Sequence, residues 1–172
     1  MALSLFRATM PRVDDVDVRA QRLSKLEVLA DIPLASLRTL AERGIFRDLK
    51  KDHVLWHQGL HAYEVAFVWS GQLAVVRRKE RNVNYRVLKS GEAIGYSNAI
   101  GYLACTVDVK ASVDSRVLIL PGDALRALIP RHPEIAYRVI ASLGRLVGSL
   151  TDEIEQLHRD DLSSRLLTLL KT

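Results

Sequence analysis

The sequence lacks several features by which protein functions are commonly recognised. It has one cysteine, Cys105, in 172 residues, which excludes an internal disulfide and a four-cysteine iron–sulfur cluster. It has no apolar run near the roughly 20 residues that span a membrane. The N-terminus, MALSLFRATMPR, has too short an apolar segment for a signal peptide. We therefore expect a cytoplasmic protein without a membrane segment.

Catalytic signatures are also missing. The sequence contains no HExxH motif, no P-loop and no Ser/His/Asp set in a recognisable context. Its composition, 48% hydrophobic and 26% charged, is ordinary for a globular protein. The net charge of +5 is modest. We therefore expect a binding protein and not an enzyme.

The pattern of apolar residues divides the chain into helical and extended parts. Residues 1–22 show no clear period and are predicted to form an arm, and helical spacing follows as far as Gly44. From Phe46 to Leu120, short alternating stretches are separated by turn residues. The predicted strands are His53–Trp56, Val65–Trp69, Leu73–Val76, Asn84–Leu88, Thr106–Val109 and Arg116–Leu120. Short strands without intervening helices predict an antiparallel barrel or roll.

A long helix is predicted from Pro133 to about Gln156. Its apolar residues advance by three or four positions, and a single barrel does not easily cover so long a stripe. The same helix of a second subunit does, so we expect a homodimer. The predicted dimerisation residues are Val139, Leu143, Leu146, Leu150, Ile154 and Leu157. Asp160 and Asp161 then cap a predicted last helix over residues 162–170.

The segment from Gly91 to Ala111, GEAIGYSNAIGYLACTVDVKA, combines two turn glycines with a short helix start. Gly91 and Gly95 allow the backbone to turn sharply out of a strand and to approach a ligand. The residues that follow, from Tyr96 to Ala99, are predicted to open a helix whose free N–H groups suit an anion. We call residues 91–111 the cassette.

With its flanks, the cassette resembles the cyclic-nucleotide-binding β-roll of the Crp/Fnr family of bacterial regulators. The supporting pieces are the Gly59 turn, Phe67–Gly71, Gly91–Gly95, Leu118–Pro121 and His132–Glu134. The resemblance implies a mainly β fold with flanking helices: an antiparallel β-roll (a double-stranded β-helix) followed by a long dimerisation helix. It implies a sensor domain at residues 23–131, a dimerisation helix at 132–158 and, at 159–172, the first part of a hinge helix.

The resemblance also implies which residues hold the effector. In nucleotide-binding members an acidic residue after the second glycine grips the ribose, and an Arg followed by Ser or Thr pairs with the cyclic phosphate. Here those positions are Tyr96, Cys105 and Thr106. Losing the charge-assisted Arg–phosphate pair costs about 1.5–3 kcal/mol, so we expect a small effector other than classical cyclic AMP. The predicted effector-binding residues are Gly95, Tyr96, Ser97, Asn98, Ala99, Cys105, Thr106 and Thr151.

The cofactor stays open between a cyclic nucleotide and haem. Residues 140–145, IASLGR, resemble the helix against which haem lies in carbon-monoxide-sensing members of the family. The cassette cysteine and histidine that hold haem iron in those members correspond to Gly95 and Ser97, which do not ligate iron. Other ligands would be needed. The candidates are His53, His57, His61 and Cys105, each with an ordinary interpretation as a surface histidine or a small buried side chain.

Two further alternatives concern the protein as a whole. Family members usually continue into a helix-turn-helix domain, so we expect this chain to be the sensor part of a longer regulator that contacts DNA only through that domain. A stand-alone sensor acting through protein contacts is the alternative. From another class, a cupin-like metalloenzyme needs two or three histidines converging inside the barrel, and the spacing here does not supply them.

Overall fold

The computed structural model describes residues 15–77, 83–148 and 151 of the chain. The chain divides into two compact units, residues 1–135 and residues 136–172. The helices of the first unit are α1 (Val16–Leu23), α2 (Leu34–Glu42), α3 (Tyr96–Gly101) and α4 (Gly122–Leu128), with a 3₁₀ turn at Glu27–Leu29. A further helix, α5, covers residues 134–148. Its residues 136–148, together with residue 151, are the described part of the second unit.

Eight strands form two antiparallel four-stranded sheets. The strands are β1 (Ile45–Leu49), β2 (Val54–Trp56), β3 (Glu64–Ser70), β4 (Gln72–Arg77), β5 (Val83–Lys89), β6 (Ala93–Ile94), β7 (Asp108–Ala111) and β8 (Ser115–Pro121). One sheet has the order β1-β8-β3-β6 and the other β2-β7-β4-β5. The predicted fold class, an antiparallel β-roll with flanking helices and a helix after the roll, is confirmed.

The core lies inside the roll and draws on both sheets. The buried cluster is made by Leu49, Trp56, Ala66, Val68, Leu73, Val75, Leu88, Cys105, Val109, Ala111, Val117 and Ile119. Its members take every second position along β3 and β8, so they share one face of the sheet, and the residues between them, such as Phe67 and Leu118, are also buried. Cys105 belongs to this cluster, which brings the cassette into direct contact with the core.

The arm predicted for residues 1–22 is wrong from Val16 onward, because α1 begins there. The Asp15 carboxylate caps the helix by accepting from the backbone N–H of Asp17 at 2.9 Å. Ala20 and Leu23 are buried. The helix beyond Leu23 that the apolar spacing predicted is replaced by a 3₁₀ turn at Glu27–Leu29.

Arg22 fixes α1 to the roll. Its guanidinium lies 3.9 Å from the centre of the Trp69 ring, a cation–π contact. Its Nη2 donates to the Trp69 carbonyl at 2.6 Å and to the Ser90 hydroxyl at 3.1 Å. The Ser90 hydroxyl donates to the same carbonyl at 2.9 Å. Helix α1 is thereby tied to the turn that precedes the cassette.

Helix α5 carries large apolar side chains that are open to solvent. Those exposed by 40% or more are Tyr137, Ile140, Leu143, Leu146 and Val147. Of the predicted dimerisation residues, Val139 is buried and Leu143 and Leu146 are exposed. Leu150, Ile154 and Leu157, like the predicted helix over 162–170, lie outside the described residues. Within the described ranges, no helix is long and apolar enough to cross a membrane.

Candidate functional site

Gly95 forms the sharp turn that leads into α3 of the cassette. Its φ of 104° is in the left-handed region that favours glycine, and it precedes the first residue of α3. A Cβ at this position would meet the Glu64 carbonyl oxygen at 2.5 Å and the Trp56 ring at 2.9 Å. The predicted sharp turn at Gly95 is therefore present, and residues of β2 and β3 close the space around it.

Helix α3 is short and is anchored at its C-terminal end. The backbone N–H of Ala99 donates to the Gly95 carbonyl at 2.8 Å, which closes the first turn. The Arg126 guanidinium of α4 donates to the Ala99 carbonyl and lies 4.2 Å from the centre of the Tyr102 ring. Arg126 thus stabilises the carbonyl end of α3, where a cation is favourable.

Cys105 is a buried, uncharged thiol. Asn98 donates to its sulfur at 3.2 Å, and Ser97 donates to the Asn98 side-chain oxygen at 3.1 Å. Burial raises the pKa of the Cys105 thiol, and the Glu64 carboxylate raises it further. The thiol therefore stays protonated at neutral pH, and the position at which the resemblance implies an arginine carries no charge.

Tyr96 carries a buried hydroxyl without a partner. The residue is only partly buried as a whole, whereas its hydroxyl is inaccessible and has no hydrogen bond in the described part of the structure. Because the tip is less accessible than the rest of the residue, the side chain points inward. Burial raises the pKa of the Tyr96 phenol above its usual range, so the group remains a hydrogen-bond donor.

The remaining predicted effector residues are placed differently. Thr106 is exposed, next to the buried Cys105. Thr151 belongs to the second unit, where its hydroxyl donates to the Val147 carbonyl at 3.0 Å. Hydrogen bonds therefore link Ser97, Asn98 and Cys105, and a backbone bond joins Ala99 to Gly95. Effector binding by all eight predicted residues stays a prediction.

The histidines considered as haem ligands lie at the surface. His53, His57 and His61 are all exposed, and Asn98 already contacts the Cys105 sulfur. Among the residues that the structure describes, no group of three or more His, Cys, Asp or Glu side chains is placed to hold a metal ion. His57 and His61 line an open cleft, and haem binding through these histidines stays a prediction.

The structure identifies site residues that the sequence did not indicate. Trp56 and Glu64 form the wall behind Gly95, and the Trp56 indole N–H donates to the Glu64 carboxylate at 3.2 Å. Both also line an open cleft of about 340 Å³ beside the cassette, together with Arg47, His57 and His61. No cassette residue lines this cleft. In the sequence, Trp56 was recognisable only as an apolar strand residue, and no pattern pointed to Glu64 or Arg126 as site residues.

Comparison with known proteins places this geometry in a family. The family model described as cyclic nucleotide-binding domain matches residues 46–132, which include the whole cassette. No curated protein sequence matches the chain.

Solved structures match the fold at low sequence identity. The catabolite activator protein of Thermus thermophilus aligns with a TM-score of 0.68 and 20% identity over 76% of this chain and 62% of its own. The sensor domain of the transcriptional regulator DNR from Pseudomonas aeruginosa aligns with a TM-score of 0.70 and 16% identity over 80% of this chain and 94% of its own. The regulatory domain of Toxoplasma gondii PKA, solved with cyclic AMP, aligns with a TM-score of 0.67 and 11% identity, over 75% of this chain and 50% of its own. The chain thus spans less than two thirds of the Thermus protein.

Proposed function

The chain belongs to the cyclic nucleotide-binding domain family, and from this premise we propose that it is the effector-sensing and dimerisation domain of a Crp/Fnr-type transcription regulator. Two of the similar structures are a catabolite activator protein and a regulator's sensor domain, which favours a regulatory role over a catalytic one. We propose further that its effector is a small molecule other than classical cyclic AMP. DNA contact would then depend on a helix-turn-helix domain outside this sequence.

The observation that carries the choice of effector is the state of Cys105. A cyclic phosphate needs a cation where it binds, since an unpaired charge in an apolar site costs several kcal/mol. Cys105 is 5% exposed and belongs to the core cluster, and its neighbouring carboxylate, Glu64, is of the wrong sign for an anion. Arg126 already contacts the Ala99 carbonyl and the Tyr102 ring.

Titration with cyclic nucleotides tests this proposal. Cyclic AMP, cyclic GMP and cyclic di-GMP at about 1 mM are each expected to leave the melting temperature unchanged, because a ligand present far below its Kd adds almost nothing to the stability of the folded state. Differential scanning fluorimetry is the measurement. A rise of several degrees at micromolar cyclic AMP would contradict the choice of effector while leaving the sensor assignment in place.

Dimerisation through α5 has its own test. Leu146→Glu is expected to convert a dimer to a monomer, because it replaces a large exposed apolar side chain in the middle of the apolar stripe of α5 with a charged one. Ala141→Glu is the matched control, since Ala141 is also exposed and helical spacing puts it on the opposite side of the helix. Multi-angle light scattering measures the mass. A wild-type monomer, or equal effects of the two changes, would contradict the proposal.

A further inference from the structure

Two charged side chains occupy inward-facing positions at one end of the roll. Leu49 of β1 and Ala66 of β3 belong to the core cluster, and alternate residues of a strand share one face. Arg47 and Glu64 lie two positions from these core residues and therefore face the same way. Charged residues are rare at such positions. Both line the open cleft of about 340 Å³, so the apolar interior of the roll ends here in a pair of opposite charges.

The charge pair keeps hydrogen-bonding capacity towards the cleft. Arg47 Nη1 lies 3.6 Å from Glu64 Oε1, which is beyond hydrogen-bond distance. The Glu64 carboxylate also accepts from the Trp56 indole N–H at 3.2 Å, and Trp56 is part of the buried core, so the position of the acid is fixed. Both side chains of the pair remain partly open to solvent. A ligand in the cleft can therefore reach either charge.

The cleft also has an apolar and aromatic part. Leu60 and Tyr63 line it and are exposed, and the centres of the His61 and Tyr63 rings are 5.4 Å apart. Backbone hydrogen bonds fix the loop that carries them. The Gly59 N–H donates to the Cys105 carbonyl and the Cys105 N–H to the Leu60 carbonyl, both at 2.8 Å. A loop that is already fixed loses little conformational freedom when an apolar group binds against it.

The opposite charges decide which ligand chemistry fits. A simple anion attracted by Arg47 would bring its charge close to Glu64, and a simple cation attracted by Glu64 would meet Arg47. A zwitterion avoids both conflicts, because it places one charge against each side chain. An α-amino acid carries its carboxylate and its ammonium on one carbon atom, so it suits two protein charges that are 3.6 Å apart.

We propose that this cleft binds an α-amino acid with a large apolar or aromatic side chain. Arg47 binds the carboxylate, Glu64 accepts from the ammonium, and Leu60 and Tyr63 contact the side chain. Charge-assisted hydrogen bonds of this kind are stronger than neutral ones. The inference goes beyond the proposed function, because no residue of the cassette lines the cleft. It adds a second ligand site that does not depend on the identity of the cassette effector.

Three probes that differ by one charged group test the need for both charges. L-Phenylalanine is a zwitterion, hydrocinnamate lacks the ammonium and phenethylamine lacks the carboxylate. Each is titrated into the ¹⁵N-labelled full chain at neutral pH, and the backbone amide shifts of residues 55–64 are followed by NMR. L-Phenylalanine is expected to shift these resonances with millimolar or tighter affinity. Each analogue is expected to bind about ten-fold more weakly, the value of one charge-assisted hydrogen bond. No shift with L-phenylalanine, or equal binding of the three probes, would overturn the inference.

Two substitutions test the two charges separately. Arg47→Gln is expected to weaken L-phenylalanine about ten-fold and to leave phenethylamine no weaker, because the lost cation only repels an amine. Glu64→Gln is expected to weaken L-phenylalanine by a similar factor and to leave hydrocinnamate no weaker, while its amide oxygen still accepts from Trp56. Arg38→Gln is the matched control, since Arg38 is also ion-paired, to Asp17 at 2.5 Å, and its side chain is 54% exposed against 50% for Arg47. The control is expected to change no affinity.

The melting temperature of each variant separates loss of binding from loss of folding. Partly exposed ion pairs contribute little to stability, so all three variants are expected to melt close to the wild type. If Arg47→Gln weakened phenethylamine as much as L-phenylalanine, the loss would come from an altered cleft and not from a missing carboxylate contact, and the role of Arg47 would be overturned. If a variant failed to fold, the three probes on the wild type would still decide whether the cleft takes a zwitterion.

Discussion

Gly95→Ala is expected to destabilise the chain by about 3–5 kcal/mol, at the upper end of single-residue effects. Two costs combine. The left-handed φ of 104° strains any residue with a Cβ. The new Cβ also meets the Glu64 carbonyl oxygen at 2.5 Å and the Trp56 ring at 2.9 Å. A backbone oxygen does not move aside as a flexible side chain does, so either α3 or β3 has to shift.

The control for this change is Gly91→Ala. Gly91 has a similar φ of 92°, but nothing lies within 4 Å of its added Cβ. It therefore measures the conformational cost alone, which is about 1–2 kcal/mol. Urea unfolding followed by circular dichroism gives both values. Equal destabilisation by the two substitutions would show that the wall of Glu64 and Trp56 does not constrain the cassette.

Cys105→Arg is expected to create a response to cyclic AMP that the wild type lacks. The arginine restores the cation that the family resemblance implies at this position, and a charge-assisted Arg–phosphate pair contributes about 1.5–3 kcal/mol, a ten- to hundred-fold gain in affinity. Without nucleotide, the variant is expected to be less stable than the wild type, because the guanidinium enters the cluster that holds Cys105 at 5% exposure. Cyclic AMP would recover part of that loss by binding the folded state.

Isothermal titration calorimetry measures the gain in cyclic AMP affinity, and thermal unfolding measures the loss of stability. Cys105→Met is the control, since its side chain is larger than that of cysteine and uncharged. Where the arginine variant does not fold alone, refolding in the presence of cyclic AMP is the readout. The methionine variant is expected to stay unresponsive at every nucleotide concentration. Equal responses of the two variants, or no response of the arginine variant at millimolar cyclic AMP, would show that the cassette is not a nucleotide-binding frame.

The roll was predictable from the sequence because its strands have regular local signals. The apolar stretches around Phe67 and Val75 lie in β3 and β4, and the turn at Gly95 follows from the need for a positive φ. Strands β1 and β6 were missed. The residues of β1 are mostly exposed, and β6 has only two residues, so neither shows a period.

The walls of the site were not predictable, because they depend on contacts distant in sequence. Glu64 faces Gly95 because β3 pairs with β6, and Arg126 reaches Ala99 from α4. The unpaired state of the Tyr96 hydroxyl is likewise a property of the folded environment. The sequence showed which side-chain chemistry had changed at Tyr96 and Cys105, but not which neighbours surround the new groups.

The contacts of Arg22 have a consequence for how the first unit opens. Its guanidinium and the Ser90 hydroxyl share the Trp69 carbonyl, and the next amide along the chain, that of Gly91, donates to the Val68 carbonyl at 2.9 Å. Detaching α1 therefore removes a support of the turn from which the cassette starts. In native-state hydrogen exchange, α1 and the beginning of the cassette would then behave as a single cooperative unit, with the same opening free energy and the same sensitivity to denaturant.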